Sequence, residues 1–182
     1  MKNSLFLFLL VLLLFFQTCK KDDPCSKLTC KNGGECIDGT CSCPTGYSGP
    51  DCSTLLIPKS AKIRFLTIRN WPTVNSFGVS WDSLAYPDLF YRICVQGSSK
   101  VEYESTIEPD MRITGPISFQ LNYEILSPQS TYQIKLYDSD FPDEDDLIAT
   151  GNFKAWDGST FPDKIIVHDG ITTFEIDLSY NF

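Results

Sequence analysis

The chain has 182 residues, enough for one full domain and something small. Its formal net charge is −8, and beyond Lys20-Lys21 it has no basic run, which excludes nucleic acid as a partner because phosphate binding needs clustered Lys and Arg. The only histidine is His168, so a catalytic pair of two histidines is excluded as well.

In chain order, Lys2 precedes an unbroken apolar run over residues 5–16. That run is shorter than the roughly 20 residues a bilayer core requires, and it suits the core of a signal peptide. Phe16-Gln17-Thr18-Cys19 follows directly and resembles a lipobox. The resemblance implies removal of residues 1–18 and lipid attachment at Cys19. The other reading is an ordinary secreted chain with Cys19 as a spare thiol. Residues 19–23 read as a tether. Lys20-Lys21-Asp22-Asp23 resembles the surface-export signal of some Gram-negative lipoproteins. These segments imply a bacterial outer-membrane lipoprotein, anchored through Cys19 and exposed at the cell surface.

Residues 24–53 are rich in Cys and Gly and poor in aliphatics. So short a segment cannot bury a sufficient core and has to be stapled. Its cysteines are Cys25, Cys30, Cys36, Cys41, Cys43 and Cys52, interleaved with Asn32-Gly33-Gly34 and with Gly46, Tyr47 and Gly49. Six cysteines in an exported segment read as a disulfide framework whose connectivity arithmetic alone leaves open. The pattern resembles an EGF-like domain, and the resemblance implies the pairs Cys25–Cys36, Cys30–Cys41 and Cys43–Cys52. Its acids, Asp23 and Asp38, match calcium-binding EGF modules poorly, so a spacer or protein-contact role is expected. Residues 54–58 link the modules, and their apolar character suggests that they pack against one of them.

From residue 58 to 182 the chain reads as all-β. Runs at 62–68, 90–95, 117–121, 131–137, 165–167 and 173–178 are β-rich, and most alternate apolar with polar. Such runs are the mark of strands with one buried face. Prolines at 72, 87, 109, 116, 128, 142 and 162 punctuate the gaps. Several short strands at this spacing suggest a sandwich. Cys94 shares a strand face with Phe90 and Arg92 and reads as a small strand side chain.

Two loops carry carboxylates. Asp82 and Asp88 precede the strand at 90–95; Asp138, Asp140 and Asp146 follow the strand at 131–137, with Leu147-Ile148 after the last of them. This spacing resembles C2 domains, the calcium- and phospholipid-binding sandwiches. The resemblance implies an antiparallel eight-stranded C2-like β-sandwich over 58–182, with Ca2+ held by Asp82, Asp88, Asp138, Asp140 and Asp146. Calcium takes six to eight oxygen ligands, and carboxylates supply them. The bland alternative is a solvated acidic loop, since Asp143, Glu144 and Asp145 lie in the same run. Leu84, Tyr86 and Phe141 are candidate loop-tip contacts to a partner or membrane; packing over the loop bases is their alternative role. The strand near 100–104 is acidic, which argues against phosphoinositides.

No Gly-x-Ser-x-Gly, His-Glu pair, Cys/His pair or phosphate loop occurs, so no enzyme is expected. The expectation is a surface-anchored binding or adhesion protein making calcium-dependent contact with a membrane, glycan or protein. The alternative is a calcium-independent interaction or structural module of a larger surface complex.

Overall fold

The computed structural model describes residues 23–81, 86–112, 115–140 and 142–182. The signal segment 1–18, Cys19, the tether up to Asp22, Asp82, Leu84 and Phe141 lie outside the described residues. The chain divides into two units between Thr54 and Leu55, and no described residue is helical.

The small unit is held by covalent bonds rather than by a core. Cys25–Cys36, Cys30–Cys41 and Cys43–Cys52 are bridged, with Cα separations of 5.8, 5.6 and 5.3 Å. This is the pairing that the resemblance implies. Strands β1 (Glu35–Ile37) and β2 (Thr40–Ser42) form a hairpin in which Cys36 faces Cys41. Asp38 and Gly39 turn it with φ of 49° and 81°. Two consecutive positive φ values match the right-handed twist of the strands, and Gly takes that conformation without strain. A second short pair, β3 (Tyr47–Ser48) and β4 (Thr54–Leu55), closes the segment. Of its hydrophobic side chains only Cys52 is fully buried, among the described residues. A Cβ on Gly34 would come within 2.6 Å of the Cys52 sulfur, so the packing is around sulfur itself.

The large unit is a sandwich of two four-stranded antiparallel sheets. Its strands are β5 (Ser60–Arg69), β6 (Leu89–Val95), β7 (Val101–Glu104), β8 (Ile117–Ile125), β9 (Thr131–Asp138), β10 (Asp146–Lys154), β11 (Lys164–Asp169) and β12 (Thr172–Asn181). One sheet runs β10-β9-β6-β7 and the other β11-β12-β5-β8. Alternation sets the inner faces. Tyr132, Ile134 and Leu136 of β9 are buried while the residues between them are partly open; Phe174, Ile176 and Leu178 of β12 repeat the pattern. Trp71, which follows β5, joins the same core.

Six of the eight strands coincide with the β-rich runs. β10 does not stand out in the sequence for a physical reason. A bulge lies between Leu147 and Ala149, Asp146 and Leu147 are exposed, and Gly151 adds no side chain. A bulge inserts one residue and so breaks the period of two. In the stretch 54–58, Pro58 is buried and Leu55 and Leu56 are half-buried, but Ile57 is 71% exposed.

Candidate functional site

The strand pairing brings three of the expected carboxylates to one end of one sheet. Asp138 is the last residue of β9, and the alternation of that strand turns it to the inner face, where it is fully buried. Its register partners are Asp146, first residue of β10, and Leu89, first residue of β6. Asp88 stands immediately before Leu89. Its amide donates to Asp138 Oδ1 at 2.7 Å, and its carbonyl accepts from the Ser139 amide at 3.0 Å. The Asp88 carboxylate in turn accepts the Asp110 amide at 2.8 Å. Asp110 has a φ of 49°, a turn that also lets Met111 donate to the Pro87 carbonyl. Each of these two carboxylates therefore has one oxygen engaged by a backbone amide that sets its direction.

Asp140 lies in the β9–β10 loop, where its carbonyl accepts the Asp143 amide at 2.6 Å. Asp146 is exposed at the rim of an open depression of about 460 Å³. Asp145, outside the expected set, is paired with Arg92 at 3.2 Å. Arg92 also pairs with Glu104 and lies 4.8 and 4.9 Å from the ring centroids of Phe90 and Tyr137, which stack on each other. Partial burial works against its charge, but the two carboxylates prevail and its pKa is raised above the ordinary value.

The fit to calcium is partial. Asp88, Asp138 and Asp146 supply oxygen donors of the right class at one sheet end. Among the described residues, however, no three acidic, His or Cys side chains come within reach of one ion. The expected Asp82 falls outside those residues. Of the expected loop-tip contacts, Tyr86 is 43% exposed and carries the Arg112 guanidinium 4.7 Å from its ring centroid. Cys94 is unbridged and buried on the outer sheet face that it shares with Phe90 and Arg92.

The sequence reading missed a small hairpin over residues 72–81 next to this end. Val74 and Ser80 form an antiparallel bridge, and the turn between them puts Phe77 at 89% exposure. A local signal existed: Asn75 and Gly78 are turn residues flanked by Val74 and Val79.

Residues 19–52 match the family model of the EGF-like domain. Over 48 residues the chain is 44% identical to neurogenic locus notch homolog protein 1 of Mus musculus, covering 22% of this chain and 2% of that protein. It is 40% identical over 42 residues to EGF-like repeat and discoidin I-like domain-containing protein 3 of Mus musculus, covering 20% and 9% respectively. The chain thus spans less than a tenth of the curated relatives it matches. Among solved structures, human GIVD cytosolic phospholipase A2, in complex with methyl gamma-linolenyl fluorophosphonate inhibitor and terbium chloride, superposes with a TM-score of 0.50 at 14% identity. That match covers 67% of this chain and 17% of the phospholipase chain. A solved C2 domain gives a TM-score of 0.47 at 11% identity, covering 68% of this chain and 98% of its own. At such identities the likeness concerns fold alone. The segment of bridged cysteines is EGF-like, and the sandwich is C2-like.

Proposed function

We propose that this protein is a surface-anchored, non-enzymatic binding or adhesion lipoprotein. Cys19 carries the lipid, and the anchored chain bears an EGF-like module and a C2-like sandwich. The sandwich binds calcium at Asp88, Asp138, Asp140 and Asp146 together with Asp82, and calcium promotes contact with a membrane, glycan or protein partner. The anchor and the location at a bacterial outer membrane rest on the apolar run at 5–16 and the lipobox-like ending at Cys19. The observation that carries the calcium reading is the register that sets Asp146 opposite Asp138, with the Asp88 amide bonded to the Asp138 carboxylate. Bound calcium would neutralise like charges that the fold crowds together. The human phospholipase was solved with terbium chloride, which suggests terbium as a luminescent probe beside Trp81.

The test is calorimetric titration of the full chain. Extracellular sites work at about 10⁻⁴–10⁻³ M calcium. At ten times the dissociation constant, one site adds roughly 1.4 kcal/mol to stability. Magnesium, which favours a rigid octahedron and keeps its waters, does less. Asp140→Asn and Asp146→Asn are expected to abolish the calcium binding heat and the added stability, and Asp143→Asn to preserve them. An identical response from all three variants replaces this reading with the calcium-independent interaction module. The anchor is tested separately: Cys19→Ser is expected to move the protein from the membrane to the soluble fraction and to abolish incorporation of a fatty-acid probe.

A further inference from the structure

The hairpin over 72–81 is built to hold one aromatic ring away from the core. The Asn75 amide donates to the Val79 carbonyl at 2.8 Å, and Asn75 Oδ1 accepts from the amides of Phe77 and Val79 at 3.0 and 3.1 Å. The Gly78 amide donates to the Asn75 carbonyl at 3.0 Å, and Gly78 takes a φ of 76° that suits glycine. Trp81 Nε1 donates to the Pro72 carbonyl at 2.6 Å and ties the two legs together. These bonds fix the turn without using the Phe77 side chain, which is left almost wholly in water, and Val79 is 59% exposed. An ordered turn that presents a bare aromatic ring pays little conformational entropy when that ring is covered.

Beside the ring is the depression of about 460 Å³, floored by Pro72, Trp81 and Ile148. Leu147, 51% exposed, and Asp146 form its far rim. Among the described residues no Lys or Arg lines it. The chain leading to that rim is Asp143-Glu144-Asp145-Asp146, of which Asp145 is paired with Arg92. The recess takes side chains rather than a domain, mixes apolar side chains with the polar Asn75 and Ser76, and carries negative charge on one edge. An anionic bilayer is repelled by such an edge when no metal is bound. The complementary occupant carries large apolar side chains next to a cation.

We propose that the Phe77 hairpin and the β10 entrance form a docking groove for a basic, apolar peptide segment of a partner protein. An aromatic or branched aliphatic side chain of the partner lies against Phe77 and Leu147 in the depression, and a flanking Lys or Arg reaches the Asp146 carboxylate. The groove needs no metal, and calcium at Asp146 competes with the partner's cation.

The experiment uses the full chain with a chelator present, so its outcome is independent of the calcium reading. A short fluorescent peptide with Phe and Leu at its centre and Lys on both flanks is titrated by anisotropy, beside a matched peptide flanked by Glu. The Lys peptide is expected to bind, and the Glu peptide at least about tenfold more weakly. Phe77→Ser and Leu147→Ser are each expected to weaken binding by about tenfold, the scale of losing an aromatic or apolar anchor. Both side chains are exposed, so the variants keep the fold, which circular dichroism checks. Asp146→Asn is expected to weaken the Lys peptide and to flatten its loss of affinity between about 0.05 and 0.5 M salt. Equal binding of the two peptides, or no effect of Phe77→Ser, overturns the proposal. So does Phe77-dependent binding to phosphatidylcholine–phosphatidylserine vesicles without peptide binding, which assigns the ring to a membrane. Self-association that Phe77→Ser removes, again without peptide binding, assigns it to a second copy of the chain and overturns the proposal too.

Discussion

The EGF-like unit and the C2-like sandwich reach a defined structure by opposite means. In the first, three bridges join neighbouring turns and Cys52 is the one fully buried hydrophobic side chain described. In the second, two sheets enclose a continuous core from Ile63 and Leu66 through Leu136 to Phe174, and Cys94 stays unbridged. The contrast follows from size. A short segment has too little interior to offset its chain entropy, whereas more than a hundred residues in two layers supply enough. It also decides what each unit tolerates: the small one depends on covalent bonds, the large one on packing and on a few buried polar contacts.

Reduction separates the two most widely. Each bridge is worth about 2–4 kcal/mol, so a mild thiol reductant is expected to unfold residues 24–53 while the sandwich stays folded. Hydrogen exchange resolved by peptide reads both at once. Loss of protection in β9 and β12 together with the small unit would break the division.

A smaller effect is expected at the buried polar contact that positions the carboxylates. Asp138→Ala removes the fully buried acceptor of the part-buried Asp88 amide. Leaving a buried donor unpaired costs about 1–3 kcal/mol, to be read as a lower denaturant midpoint of the sandwich alone. Asp138→Asn keeps an acceptor oxygen and is expected to lose less. Equal losses would mean that the charge, not the hydrogen bond, holds this end.

The finest comparison concerns two carboxylates in contact with solvent, one in each unit. The Lys31 hydrogen bond, with help from Ser53, lowers Asp51 from 3.8 to about 2. The amides of Thr160 and Ser159, with the Ser159 hydroxyl, lower Asp157 to about 2. Both folded values lie below the ordinary one. Each group therefore favours the folded state above pH 3.8, and that contribution fades as the pH falls through about 2. Carbon-detected NMR titration is expected to find both values low. Salt near 1 M, where the screening length is about 3 Å, is expected to raise Asp51 and leave Asp157 in place. Lys31→Gln does the same. An unmoved Asp51 would show that local geometry, not the lysine, sets its value.

Much of this architecture is written locally. Cysteine spacing marks the small unit, because a short chain poor in aliphatics cannot hold itself by a core and needs bridges. Alternation in β9 and β12 marks strands with one buried face, because successive side chains must point to opposite sides. The same alternation marks which face Cys94 takes. The acidic loops are visible for the same reason: composition is a property of the segment itself.

The juxtapositions were settled by the tertiary structure. Asp88 and Asp138 are 50 residues apart and meet because β6 and β9 are neighbours in a sheet whose order is β10-β9-β6-β7. That order depends on which inner faces fit one another, and no single segment encodes it. β10 was hidden because its bulge and Gly151 break the local period that makes a strand legible. Phe77 was hidden for the complementary reason. An apolar side chain in a sequence is expected to be buried, and only the hydrogen bonds around Asn75, together with a core already filled by Trp71 and its neighbours, leave this one in water.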